Sequence, residues 1–229
     1  MFKKEGDFLP KKVLTMQSDS VANKILTTAK KLFVKQGYKK TTIRQIVKES
    51  GVLTGSIYHF YKNKEDVFRV LLLLVLKQST MLINKYFENE SPAFRYAAMN
   101  IVGIKAAEVN EFVRESYYEG YTANTIFEQM VEYITDISKE MFKNNIYYTR
   151  EDYYIRTLLV RGAMRSCIAK FYFKKNISSE KCSAILVNMA LSLFGFDKRA
   201  IEVVLQRLED LDDKLSEITN QLIKESVKI

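Results

Sequence analysis

Cysteine, histidine, proline and glycine are all scarce in this chain of 229 residues, and each shortage closes off a class of protein. The two cysteines, Cys167 and Cys182, have fourteen residues between them and no CxxC pair, which supports neither a disulfide framework nor a zinc site. Both read as buried apolar residues. The single histidine, His59, leaves His-dependent triads and multi-His sites without partners, and no phosphate loop is present, so an enzyme is disfavoured and no metal or cofactor is expected. The longest purely apolar run, residues 70–76, is seven residues long, against the roughly 20 needed to cross a bilayer. The opening MFKKEGDFLP has no apolar stretch of signal-peptide length, so a cytoplasmic protein without membrane insertion is expected. Two prolines and eight glycines leave little turn chemistry.

The chain has the composition of an ordinary globular protein, 47% apolar and 28% charged, enough for a core without covalent staples. Its net charge of +9 is unevenly spread. Residues 1–66 hold 14 Lys/Arg against 6 Asp/Glu, whereas residues 67–229 hold 22 against 21. A small basic module that meets a polyanion, attached to a neutral body, fits this distribution; a basic solvated face is the plainer alternative.

Apolar residues recur at spacings of three and four almost throughout, so the chain is expected to be all-α. Residues 1–19 read as a flexible basic arm, within which Met16 offers an alternative translation start. A first helix is predicted over 20–36, with Ile25, Leu26, Ala29, Leu32 and Phe33 on one stripe and Gly37 as its stop. Thr42-Ile43-Arg44-Gln45 fits a capping box that opens a second helix ending near Ser50, and Gly51 makes the turn. A third helix spans 54–60, with Leu53 and Ile57 inward and Thr54, Ser56, Tyr58 and His59 outward. A fourth, capped by Asn63, runs to about 87 and is apolar on every side over 70–76. Further helices are expected near 92–109, 110–120, 124–145, 150–174, 178–194 and 198–226.

A supporting helix, a second helix, a tight glycine turn and a short polar-faced helix have the spacing of a helix-turn-helix. The residues Ile25-Leu26, Ala29, Leu32-Phe33, Gly37-Tyr38, Thr41-Thr42-Ile43, Ile46-Val47, Ser50-Gly51-Val52, Gly55-Ser56-Ile57-Tyr58-His59 and Lys62-Asn63-Lys64-Glu65-Asp66 resemble the DNA-binding signature of the TetR/AcrR transcriptional regulators. The resemblance covers about 45 residues; nothing comparable is recognisable in residues 90–229. Leu53 departs from it, standing where the family has a Ser or Thr cap, as do Phe60 and Tyr61 at the end of the third helix.

The resemblance implies a DNA-binding domain over 20–66 and an effector-binding and dimerisation domain over 67–229. It also implies a homodimer on a near-palindromic double-stranded operator, and a repressor released by a small-molecule effector. It places Thr42, Tyr58, His59 and Lys64 at phosphates and Arg44, Thr54, Gly55 and Ser56 nearest base edges. Thr42 has a second reading as a helix cap, and Gly55 a second reading as a packing glycine against the preceding helix. Lys64 has no obvious core role. A phosphate beside His59 would favour its charged form, so DNA affinity would weaken as pH rises.

For the effector, Tyr117, Tyr121, Phe127, Met130 and Met164 can line an apolar cavity or be plain core. Arg161 and Arg165, four residues apart, can bind an anion or pair with Glu115 or Glu119. Two dimer seams are open: the small-residue stripe Gly162, Ser166 and Ala169, and a heptad of Ile201, Leu208, Leu215 and Leu222 with Val204, Leu211 and Ile218. Either one also fits packing within one chain. The competing function class is a helical interaction protein with an anion-binding basic end.

Overall fold

A computed structural model describes residues 20–143 and 147–227, so the basic arm and the alternative start at Met16 lie outside the described residues. Among the described residues there are eleven α-helices and no strand. They are α1 (Ser20–Gln36), α2 (Ile43–Ser50), α3 (Thr54–Phe60), α4 (Lys64–Tyr86), α5 (Pro92–Val109), α6 (Glu111–Thr122), α7 (Asn124–Met141), α8 (Arg150–Ala169), α9 (Ser179–Leu193), α10 (Lys198–Asp210) and α11 (Asp212–Val227). A single 3-10 turn, Lys170–Tyr172, follows α8. The chain divides into two compact units, one running through Leu76 and joined by the residues from Glu225 on, the other Lys77–Lys224. The division falls inside α4 and inside α11, whereas the sequence placed a boundary at 66/67.

In the first unit the expected stripe of α1 is fully buried, with Ala22, Ile25, Leu26, Ala29, Leu32 and Phe33 all inside. Phe33, Tyr38 and Phe68 stack edge to edge with ring centroids 4.4 to 5.7 Å apart, which closes α1 against the start of α4. Lys30 Nζ donates to the Glu225 carbonyl at 2.9 Å, so the end of α11 is held on α1; burial lowers the pKa of this lysine.

In the second unit α5 is buried on nearly all sides and packs against α6, α7, α8, α9 and α10. Its N-terminus is built as the sequence dictates, with Pro92 in the first turn and the Ser91 hydroxyl accepting from the Phe94 amide. α7 and α8 pair, and α9 lies against α8.

Several expectations need correction. The predicted 198–226 helix breaks at Leu211, where an Asp-rich stretch ends α10 and restarts as α11 with Asp212 and Asp213 in its first turn. The heptad residues Ile201, Val204, Leu208, Leu215, Ile218 and Leu222 are buried within the single chain, so this seam is intramolecular. α11 is tied to α5 by Lys105, which reaches Asp212 and Ser216. The 124–145 helix stops at Met141 because Phe142 turns inward onto Tyr96, Phe194 and Phe196. The 150–174 helix stops at Ala169, and Lys170 Nζ holds the following turn by donating to the Ile177 carbonyl and Ser179 Oγ. The 70–76 run is not buried all round, since Leu71, Leu74 and Val75 are only half-buried.

The cysteines also differ from expectation. Cys167 is buried but Cys182 is half-exposed, and their sulfur atoms meet at 2.8 Å across α8 and α9. Burial and the neighbouring thiol push the Cys167 pKa up to about 12. Mild hydrogen peroxide treatment is expected to join the two within one chain, two thiols and one peroxide giving one disulfide and two waters, with a mass loss of about 2 Da that Cys167→Ser abolishes. Chains cross-linked to one another on a non-reducing gel would contradict this.

Candidate nucleic-acid interface

The outward face of the first unit is set by how α2 and α3 begin and end. Thr42 closes the expected capping box: its hydroxyl accepts from the Gln45 amide at 3.2 Å while Gln45 Oε1 accepts from the Thr42 amide at 2.8 Å. The cap reading of Thr42 is therefore realised, and the residue remains exposed beside Arg44 on the same outer face. Gly51 ends α2 with φ 62° and ψ 20°, a left-handed turn that a side chain would strain. That turn aims α3 away from α2.

Two fully buried side chains, one in α3 and one just past its end, anchor the helix. Ile57 and Tyr61 are completely buried, and the Tyr61 hydroxyl donates to the Ala22 carbonyl of α1. Thr54, Tyr58 and His59 are exposed as the sequence placed them, Ser56, also expected outward, is half-buried, and Gly55 is exposed. A Cβ at Gly55 would meet nothing within 4 Å, which removes the packing-glycine reading and leaves the glycine facing open space.

Two residues depart from expectation. Leu53 is 81% exposed instead of serving the core, and its side chain makes no cap bond to α3. Its position at the N-cap explains this, because that residue lies outside the helical spiral and its side chain diverges from the stripe of Ile57. Lys64 does have a structural role, since its ammonium donates to the Tyr38 carbonyl at 2.8 Å and lies 4.0 Å from the centre of the Tyr38 ring. Asn63 caps α4 through the Asp66 amide, and Asp66 in turn pairs with Arg69. Lys39, Lys40, Lys48 and Lys62 are exposed around these helices.

In the second unit the structure brings together only part of the effector set. Tyr117, Tyr121 and Phe127 form a chain of rings with centroids 6.4 and 5.8 Å apart. Met164 and Tyr117 both pack against Gly103, and Met130 is buried. Arg161 and Arg165 separate: Arg161 is 95% buried and bonds to Asn100, whereas Arg165 is exposed. Arg161 makes no ion pair with Glu115 or Glu119, because it faces the interior toward α5. Asn100 and Tyr96 are the neighbours that sequence reasoning missed; their regular place on α5 carried no signal. Two surface clefts of about 900 and 420 Å³ are lined by other residues, the larger by Pro92, Phe142, Tyr147, Phe194, Phe196 and Val203. Burial raises the pKa of Tyr117 and Tyr121, and that of Tyr133 to about 12.

A left-handed glycine turn between two short helices, the second held by its inner face and bare on its outer one, has the geometry of a helix-turn-helix. Residues 25–71 match the family described as bacterial regulatory proteins, tetR family. The HTH-type transcriptional regulator YxaF of Bacillus subtilis is 51% identical over 53 residues, 23% of this chain and 27% of that protein. QacR of Staphylococcus aureus, also an HTH-type transcriptional regulator, is 31% identical over 117 residues, 48% of this chain and 61% of QacR. The chain thus spans between about a quarter and three-fifths of these relatives. A crystal structure of RolR in complex with resorcinol shares the fold, with a TM-score of 0.59 at 12% identity over 82% of this chain and 96% of RolR.

Thr42→Ala is expected to lower stability by about 1 kcal/mol through loss of the capping box. Gly55→Ala is expected to leave stability unchanged or raise it by about 0.5–1 kcal/mol. Denaturant midpoints of the two variants check both values.

Proposed function

We propose that the chain is a dimeric, sequence-specific DNA-binding regulator, a repressor released from a near-palindromic operator by a small-molecule effector. The observation that carries this reading is Gly55: it sits exposed in mid-helix, with open space where a Cβ would be, on a helix whose opposite face is locked by Ile57 and Tyr61. Nothing in the fold requires glycine there. A close approach of the helix backbone to DNA does.

In this reading Arg44, Thr54, Gly55 and Ser56 lie against base edges in the major groove, and Thr42, Tyr58, His59 and Lys64 meet phosphates. Exposed Leu53 joins the first group, as an apolar side chain suited to a thymine methyl. Lys39, Lys40, Lys48 and Lys62 add affinity without sequence preference.

Dimerisation uses α8 and α9. Ile155, Leu158 and Leu159 are exposed along α8 and continue into Gly162, whose missing Cβ also faces open space, and Ser166; Ile185 of α9 is 71% exposed. These α8 positions recur at three- and four-residue spacing, so they form one apolar stripe ending in small residues that admit a close helix approach. A second copy of the chain covers it. The effector binds within the second unit, and α4, which runs in both units, carries its effect to the recognition helix. By linkage, operator DNA weakens effector binding by the factor by which effector weakens DNA binding.

Binding of the purified chain to DNA from immediately upstream of its gene, against scrambled DNA over a salt series, tests the central reading. The upstream fragment is expected to bind at least ~1,000-fold tighter, with both affinities falling steeply with salt. Gly55→Ala is expected to weaken operator binding about tenfold or more while the fold stays intact; equal binding would overturn the reading. Leu159→Glu is expected to turn the dimer into a folded monomer in sedimentation experiments, because it places a charge in the centre of the apolar stripe.

A further inference from the structure

Arg161 is a cation in the wrong solvent. It lies in α8 with 5% of its surface exposed, and among the described residues no carboxylate pairs with it. A terminal guanidinium nitrogen donates to Asn100 Oδ1, the Tyr96 and Tyr121 hydroxyls lie close to the same group, and its Nε has no partner among the described residues. Asn100 is itself fixed, since its amide donates to the Tyr96 carbonyl at 2.8 Å and thereby turns its oxygen toward the arginine. The Tyr96 hydroxyl, beside the same guanidinium, is likewise buried without an aligned partner. Tyr121 completes the polar surround, and Met164 lies one helical turn along α8 from Arg161.

A buried guanidinium held by neutral groups alone loses its hydration without gaining a counter-charge. Such a group stays in a core when something else supplies the anion. We propose that Arg161 is the anchor of the effector site and that the effector is a small monocarboxylate with an apolar body; this rests on the reading of the chain as an effector-controlled regulator.

The chemistry selects that class. The Nε–H and an Nη2–H of a guanidinium form the planar fork that receives a carboxylate in two parallel hydrogen bonds; here Nε has no partner, and Nη2 carries a second hydrogen besides the one given to Asn100. The Tyr96 hydroxyl offers one more donor to the same anion. Arg161 is the sole cation among these neighbours, so a monoanion balances it and a dianion leaves a charge over. The remaining walls, Tyr117, Tyr121 and Met164, suit an aromatic or aliphatic body. The larger surface cleft ends on Phe142 and Phe194, whose rings each pack 5.2 Å from that of Tyr96, so one layer of rings separates the cleft from the cluster.

The full chain is titrated calorimetrically with benzoate and hexanoate and, as neutral counterparts, benzamide and hexanamide. The carboxylates are expected to bind at least about tenfold tighter than the amides. Arg161→Met is expected to erase that preference. Asn100→Asp, which places an internal carboxylate against the guanidinium, is expected to abolish carboxylate binding while circular dichroism stays that of the parent chain; this variant decides the matter if Arg161→Met fails to fold. Carboxylate and amide binding alike, neither carboxylate binding, or both variants retaining the preference overturns the proposal. Operator binding by the unliganded chain is measured in the same preparations. Its loss with carboxylate preference intact retires the regulator reading and keeps the anchor, whereas operator binding without carboxylate preference retires the anchor alone.

Discussion

A helix of seven residues does not hold itself together in water, and the outward face of the helix-turn-helix is carried by one. α3 exists because Ile57 and Tyr61 are pulled into the core of the first unit, the latter with its hydroxyl on the Ala22 carbonyl. Everything outward depends on that anchorage. With the inner positions committed, the exposed residues are free of structural duty and can be short, polar or absent, as at Gly55. The left-handed turn at Gly51 then sets the angle at which this face is presented.

Around the anchor, the module spends its charged and aromatic residues on rigidity. Phe33, Tyr38 and Phe68 stack, Lys64 lies on Tyr38 and binds its carbonyl, and Asp66 links the Asn63 cap to Arg69. Lys64 therefore holds the module together through Tyr38 and, in the DNA-binding reading, meets a phosphate as well. The second unit is organised differently, around α5 buried on almost every side. A helix enclosed in this way brings polar groups such as Asn100 and the Tyr96 hydroxyl into the interior, where an arginine from α8 meets them. An interior with an uncompensated cation is a poor core and a good binding site.

The helices of the module were legible because each boundary has a local chemical cause. Thr42 with Gln45, Gly51, and Asn63 before an acidic first turn act through neighbours three or four residues away, and those distances are written in the chain. The same holds for the Ser91-Pro92 start of α5. Where the cause was remote, the reading failed. The break at Leu211 interrupts a heptad that continues in register on both sides, and the inward turn of Phe142 depends on Tyr96 and Phe194, 46 and 52 residues away. Leu53 reads as core by hydrophobicity and sits in the open by geometry.

The sequence by itself determined an all-α chain, the limits of the helices through α5, a basic N-terminal end and the helix-turn-helix spacing, because these follow from periodicity, caps and charge counts over short stretches. Tertiary structure decided the rest. It buried the C-terminal heptad inside one chain, brought Cys167 and Cys182 into contact, emptied the space beside Gly55, and sent Arg161 inward while leaving Arg165 outside. Each of these depends on which helix faces lie against one another, and a helical period states that a face is apolar without naming what it will meet.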